Sequence, residues 1–126
     1  MFPELRTTVC IKPVATDIWV SGSIEKEGAW ERDIVNNVIR AMEKYPGAVF
    51  LDIGANIGMY TVVIAAMGRR VIAIDADPSN LAYIRKSLEI ENTTDYVEII
   101  YNSIRYQMII STPTLINDQD YSFTIQ

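Results

Sequence analysis

Two aspartates and two glycines are the residues of this chain best arranged to hold a small molecule. Asp52 stands two residues before Gly54, Gly58 follows after four more, and Asp75 lies twenty-three residues beyond Asp52. The first group belongs to Phe50-Leu51-Asp52-Ile53-Gly54-Ala55-Asn56-Ile57-Gly58, and Asp75 ends the apolar run Val71-Ile72-Ala73-Ile74. A glycine after a strand lets the backbone turn tightly and approach a ligand with no Cβ in the way. Gly58 is expected to allow close contact at the start of a helix, whose free N–H groups and partial positive charge suit a carboxylate. Asp52 can accept hydrogen bonds from an ammonium and balance a nearby cation. Asp75, at the tip of the next strand, is placed to accept both hydroxyls of a ribose. Together these are the needs of a ligand joining an amino acid, a cationic centre and an adenosine.

Other chemistries fit less well. A dinucleotide fingerprint starting at Gly54 wants glycine at its third and sixth positions, where this chain has Asn56 and Met59. No Gly-Lys-Ser or Gly-Lys-Thr ending of a P-loop is present. The chain has no histidine, which removes Ser-His-Asp catalysis and histidine general bases. Cys10 is the single cysteine, so neither an intramolecular disulfide nor a thiolate metal cluster can form, and a free thiol is expected. The net charge is −5, and no basic cluster is denser than Arg69-Arg70 or Arg85-Lys86. A nucleic-acid partner would need a positive face, so none is expected. No catalytic residue and no metal ligand is assigned.

The elements that must position these residues follow from the hydrophobic pattern. Residues 1–28 read as a lead-in with short strands: Val9 to Ile11 and Asp17 to Val20 are β-prone, and Ser21-Gly22-Ser23 is a turn cluster. Residues 29–45 predict an amphipathic helix with Trp30, Ile34, Val38 and Ala41 on its stripe, broadened by Val35, Ile39 and Met42. Pro46-Gly47 ends it. Residues 48–53 form a continuous apolar run ending at a carboxylate, as expected of a parallel strand buried on both faces. Residues 57–67 are the next helix, stopped by Gly68, and residues 71–74 the next strand. Asp77 as N-cap and Pro78 as first helical residue open another helix, with Leu81, Ile84 and Leu88 at helical spacing. Residues 96–101 are a third strand. This β-α-β-α-β order, with right-handed crossovers, predicts an α/β, Rossmann-like parallel sheet of at least three strands with flanking helices over residues 29–105. Residues 106–126 read as an irregular or short-stranded tail, with Met108 to Ile110 and Tyr121 to Ile125 as its β-prone parts. Residues 47–68 carry one charge, Asp52. Their internal Gly54, Asn56 and Gly58 argue for strand, turn and helix rather than a membrane span.

Further residues border the site. Asn102-Ser103, just past the third strand, can meet an adenine edge, with a plain turn as the alternative. Glu31 beside Trp30 reads as a solvated or capping residue, with pocket lining as the alternative. Thr61, one residue after Tyr60, can bond a helix carbonyl or the ligand, and of the two a structural part is expected.

At these residues the chain resembles a known family. Leu51 to Thr61 closely resembles the first motif of FkbM-type S-adenosylmethionine (SAM)-dependent methyltransferases, which favours Asp-Ile-Gly-Ala-Asn-x-Gly followed by a threonine. Val71 to Leu81 looks like the family's second motif, with Asp75 in an acidic position more often held by glutamate. Residues 23–31 look like its lead-in. The resemblance covers residues 17–104. It implies a class I methyltransferase fold and SAM as cofactor, bound by Asp52, Gly54, Ala55, Asn56, Gly58, Asp75, Ala76, Asn102 and Ser103. It also implies methyl transfer to an oxygen acceptor on a sugar, lipid or secondary metabolite. The departure from the family is at the far end. A complete domain has seven strands and a later motif near Asp-x-Glu-Gly, and residues 106–126 supply neither. The sheet is therefore expected to be incomplete, holding the cofactor half without the acceptor half. The alternative function is a non-catalytic, truncated binding or interaction module whose open sheet invites self-association or pairing with another chain. With no secretory signal in residues 1–13, a cytoplasmic location is expected.

Overall fold

The sheet is built from three short runs of β-branched and apolar residues that the chain delivers in parallel. In the computed structural model, which describes residues 5–102, the order is α1 (Val20–Glu27), α2 (Arg32–Lys44), β1 (Phe50–Ile53), α3 (Met59–Ala66), β2 (Val71–Asp75), α4 (Pro78–Ile90) and β3 (Val97–Tyr101). A 3-10 turn, Thr94–Tyr96, leads into β3. The strands lie in the order β1-β2-β3, both pairs parallel, with Asp52 opposite Ala73 and Asp75 opposite Tyr101. This is the Rossmann-like α/β architecture expected from the β-α-β-α-β pattern.

Two successive right-handed crossovers in one direction put α3 and α4 on the same face of the sheet. The two helices pack against each other, α3 on β1 and β2, and α4 on β2 and β3. Ile57, Val62, Ile64, Ala65, Ile84 and Leu88 are fully buried between these layers. Helix α3 is apolar almost all round, and six of its eight residues are buried, so it is a core helix rather than an amphipathic one. Burial alternates along β1: Asp52, facing the helices, is 7 % exposed, while Leu51 and Ile53, facing the other way, are 52 % and 56 % exposed. The strand expected to be buried on both faces is thus covered on one. Among the described residues no helix packs on the Leu51–Ile53 side.

Three expectations need correction. The β-prone stretch at Asp17 to Val20 leads into a helix, α1, instead of a strand. The Asp17 carboxylate gathers the Val20 N–H, the Ser21 N–H and the Ser21 hydroxyl, and so satisfies donors left free in the first turn. Those bonds outweigh burial and hold the Asp17 carboxyl below its ordinary value. Val9 to Ile11 belongs to no sheet; this stretch crosses α4 and α1, where the Cys10 N–H donates to Ser87 Oγ (2.8 Å) and the Lys12 N–H to Ser21 Oγ (3.0 Å). Both serines are fully buried. In α2, finally, the buried residues are Val35 and Met42, with Val38 and Ile39 packed against the core, while Ile34 is 49 % exposed and Ala41 is exposed. The stripe is rotated from the expected one because α2 packs on the side of α3.

Arg69 fixes the far end of α2. Its guanidinium donates to the Met42, Tyr45 and Ala48 carbonyls, which the helix terminus and following turn leave without helical partners. Among the described residues no helix is long and apolar enough to cross a membrane. The β-prone runs expected at residues 108–110 and 121–125, and the tail 106–126 as a whole, lie outside the described residues.

Candidate functional site

The carboxyl ends of the three strands are stitched together at one end of the sheet. The Gly54 and Ala55 N–H groups both donate to the Ile74 carbonyl (2.8 and 3.0 Å), and the Asn102 N–H donates to the Asp75 carbonyl (3.1 Å). The turn between β1 and α3 therefore leans onto the tip of β2, and the residue after β3 onto its last residue. Ligands of open α/β sheets sit in this place.

Asp52 and Asp75 lie on the same, helix-facing side of the sheet, because Asp52 pairs with Ala73 and Asp75 is two residues further along β2. Their surroundings differ. Asp52 is tucked under the first turn of α3, where the Thr61 hydroxyl donates to its Oδ2 (2.6 Å). A carboxylate there faces the positive end of the helix. Burial pushes the Asp52 carboxyl above its ordinary value; hydrogen bonds from Thr61 offset part of that, and the nearby Asp75 charge adds to it. Asp52 thus anchors α3, and Thr61 has the structural part expected of it.

Asp75 is only partly buried and binds three donors. Its Oδ2 accepts from the Asn56 N–H (2.8 Å), and its Oδ1 from the Asp77 N–H (2.9 Å) and the Asn80 side-chain amide (3.1 Å). It ties the glycine turn to the turn before α4. Asp77 caps α4 as expected, accepting from the Ser79 N–H (2.8 Å) with Pro78 at the start of the helix. Ala76 is exposed on this turn.

The two glycines have different reasons. Gly54 has φ +75°, and a Cβ there would point into open space. Gly58 has φ +89°, and a Cβ there would stand 2.7 Å from Ile84 Cγ1, so the close approach it allows is to α4, not to a ligand. Gly58 is the N-cap of α3 and brings no side-chain acceptor. Between the glycines, Ala55 is buried and Asn56 takes a left-handed backbone with φ +54°.

Glu31 reaches the site from the leading helix. It is the N-cap residue of α2, with a left-handed backbone, φ +50°, and its side chain makes no capping bond. Its Oε2 instead accepts from the Tyr60 hydroxyl (2.5 Å), on the first turn of α3. Burial, then the bond to Glu31 and the charges of Glu31 and Asp52, push the Tyr60 hydroxyl up to about 12. Glu31 is thus an exposed N-cap residue, as expected, whose carboxylate also reaches the first turn of α3. Asn102 adjoins Asp75 through its backbone, and Ser103 lies outside the described residues.

The sequence reading passed over Asn80. Its signal was its place five residues after Asp75, on the first turn of α4, where a side chain can reach back to the strand tip. A separate cavity of about 120 Å³, lined by Arg70, Ile72, Asp95 and Tyr96 among others, opens at the opposite end of the strands. It is too small for a nucleoside. Among the described residues no cluster of three or more metal-ligating side chains occurs.

The fold is that of a Rossmann-like α/β protein, with the loops after its strands gathered at the carboxyl edge of the sheet. No family model matches the chain, and no curated protein does. A solved structure titled as that of EvdMO1 is similar to it at 24 % identity with a TM-score of 0.47, over 55 % of this chain and 17 % of that one. The chain thus spans about a sixth of that protein's length.

Proposed function

We propose that this chain is the cofactor-binding portion of a SAM-dependent methyltransferase of the FkbM type, acting on a hydroxyl of a sugar, lipid or metabolite. One observation carries the reading: Asp75, at the tip of the middle strand, is tied at 2.8 Å to the amide of Asn56 in a glycine turn whose Gly54 faces open space. The acidic group and the glycine turn are thus neighbours, which supports the reading, as does the resemblance of Leu51 to Thr61 and Val71 to Leu81 to the family's two motifs. SAM supplies an electrophilic methyl group on a sulfonium. The residues to hold it are Gly54, Ala55 and Asn56 along the turn, Asp75 and Ala76 at the ribose, and Asn102 and Ser103 toward the adenine. Asp52 acts mainly through α3, by setting where its first turn lies. In direct transfer the protein's part is to hold donor and acceptor in line, which is worth far more than a modest base.

Titration calorimetry on the folded chain tests this. SAM and S-adenosylhomocysteine are expected to bind, and Asp75→Ala to abolish binding while the circular dichroism spectrum is kept. Absence of binding heat at millimolar cofactor sinks the proposal for this chain.

A second reading, a non-catalytic interaction module, draws on the exposed Leu51 and Ile53 beside the edge of β1, which has no partner strand among the described residues. An apolar face and a free strand edge favour association with another chain.

A further inference from the structure

Asp75 has less capacity to spare than a ribose requires. A carboxylate offers about four acceptor positions. Three are filled from within the chain, by the Asn56 N–H, the Asp77 N–H and the Asn80 amide. One is left, and a vicinal diol held by this carboxylate donates two hydroxyl protons. One internal donor therefore has to leave.

The three donors are not equally free to do so. The Asn56 N–H belongs to a turn fixed on both sides, by the Gly54 and Ala55 bonds to Ile74 and by the Gly58 N–H bonded to the Ala55 carbonyl (2.9 Å). The Asp77 N–H is backbone at the N-cap of α4, and moving it would unseat the helix. Only the Asn80 amide rides on a rotatable side chain. Its carbonyl oxygen is buried and lacks a hydrogen-bond partner. The amide orientation is set by Asp75, since turning it over would aim Oδ1 at a carboxylate. Holding that oxygen dry and unpaired offsets part of what the bond on the amide's other side returns, which leaves about one ordinary net hydrogen bond. The amide is thus weakly held.

We infer that the Asn80 side-chain amide is a placeholder for one hydroxyl of a vicinal diol: it occupies Asp75 Oδ1 in the free protein and swings away when the diol binds. This rests on the proposed cofactor reading and deepens it, because it makes Asn80 a specificity-determining residue. A ligand with one ribose hydroxyl can use the remaining acceptor position without displacing Asn80, whereas a diol must compete with it. Wild-type protein is therefore expected to favour ribose over 2′-deoxyribose less strongly than a variant without the amide.

Asn80→Ala, checked for folding by circular dichroism, tests this with two readouts. In calorimetry it is expected to bind S-adenosylhomocysteine about three- to tenfold more tightly than wild type, the size of one net hydrogen bond. Its affinity for the 2′-deoxy analogue is expected to stay the same. If wild type binds and Asn80→Ala binds no tighter, the placeholder falls and the cofactor reading stands. If neither binds, both fall. The second readout needs no ligand. The side-chain NH₂ resonances of Asn80, identified by their loss in Asn80→Ala, are expected to move in Asp75→Asn. Asn80 resonances at solvent-averaged positions that ignore Asp75→Asn overturn the inference whatever the cofactor does.

Discussion

Tyr60 is the residue whose environment makes the sharpest measurable claim. Its hydroxyl is half-buried and donates to Glu31, with Asp52 nearby, and all three raise the cost of a phenolate. The ordinary tyrosine value is 10.0, and here it is pushed up to about 12. The folded protein therefore keeps this proton where the unfolded chain loses it. The stability it contributes is fully present below pH 10 and is lost as the pH rises toward 12. Phenolate absorbance is expected to show one tyrosine ionising late, and Tyr60→Phe to delete that late step. Glu31→Gln is expected to bring it earlier; a late step that survives Tyr60→Phe would refute the assignment. Asp75 at the strand tip was legible in the sequence because an apolar run ended in a carboxylate. Its partners were less so: the place of Asn80 on the first turn of α4 was a signal passed over, and nothing in the order of residues says that Glu31 crosses to Tyr60 from twenty-nine residues away.

At the scale of elements, the glycine turn separates packing from binding. Gly58→Ala has to place a methyl 2.7 Å from a buried isoleucine in a left-handed backbone. It is expected to lose about 2–4 kcal/mol, the sum of backbone strain and overpacking. Gly54→Ala meets only the backbone strain, about 1–2 kcal/mol, because its Cβ points into open space. Denaturant unfolding gives both values, and cofactor binding is expected to suffer more from Gly54→Ala than its stability does. Equal losses at the two positions would contradict this division. The five elements from β1 to β3 were legible because each carries its own local signal: apolar runs for the strands, an apolar helix after Gly58, Asp77-Pro78 before α4. Helix α1 was not, because its Ser21-Gly22-Ser23 reads locally as a turn. The structure stabilises it with Asp17 and by making Ser21 Oγ an acceptor for Lys12, bonds that exist only once the chain has folded. The orientation of α2 was lost for a similar reason. Its sequence has apolar residues on more than one side, and the position of α3 decides which are buried.

For the whole molecule, the exposed face of β1 is the dominant fact. Leu51 and Ile53 are more than half exposed on a strand whose outer edge has no partner among the described residues. Sedimentation velocity is expected to show concentration-dependent self-association of the chain. Leu51→Lys with Ile53→Lys is expected to return it to monomer with an unchanged circular dichroism spectrum. A wild-type monomer at every concentration would remove the ground for the interaction-module reading and leave the cofactor reading untouched.

Helix α2 has a mechanical consequence of its own. Its thirteen residues span about 20 Å, and it is pinned at both ends: by Arg69 on its last carbonyls, and by Glu31, just ahead of its first turn, on Tyr60. It runs as a strut from the turn before β1 to the first turn of α3. One helix thus ties Tyr60, on the first turn of α3, to Arg69 at the entry of β2, the strand that bears Asp75.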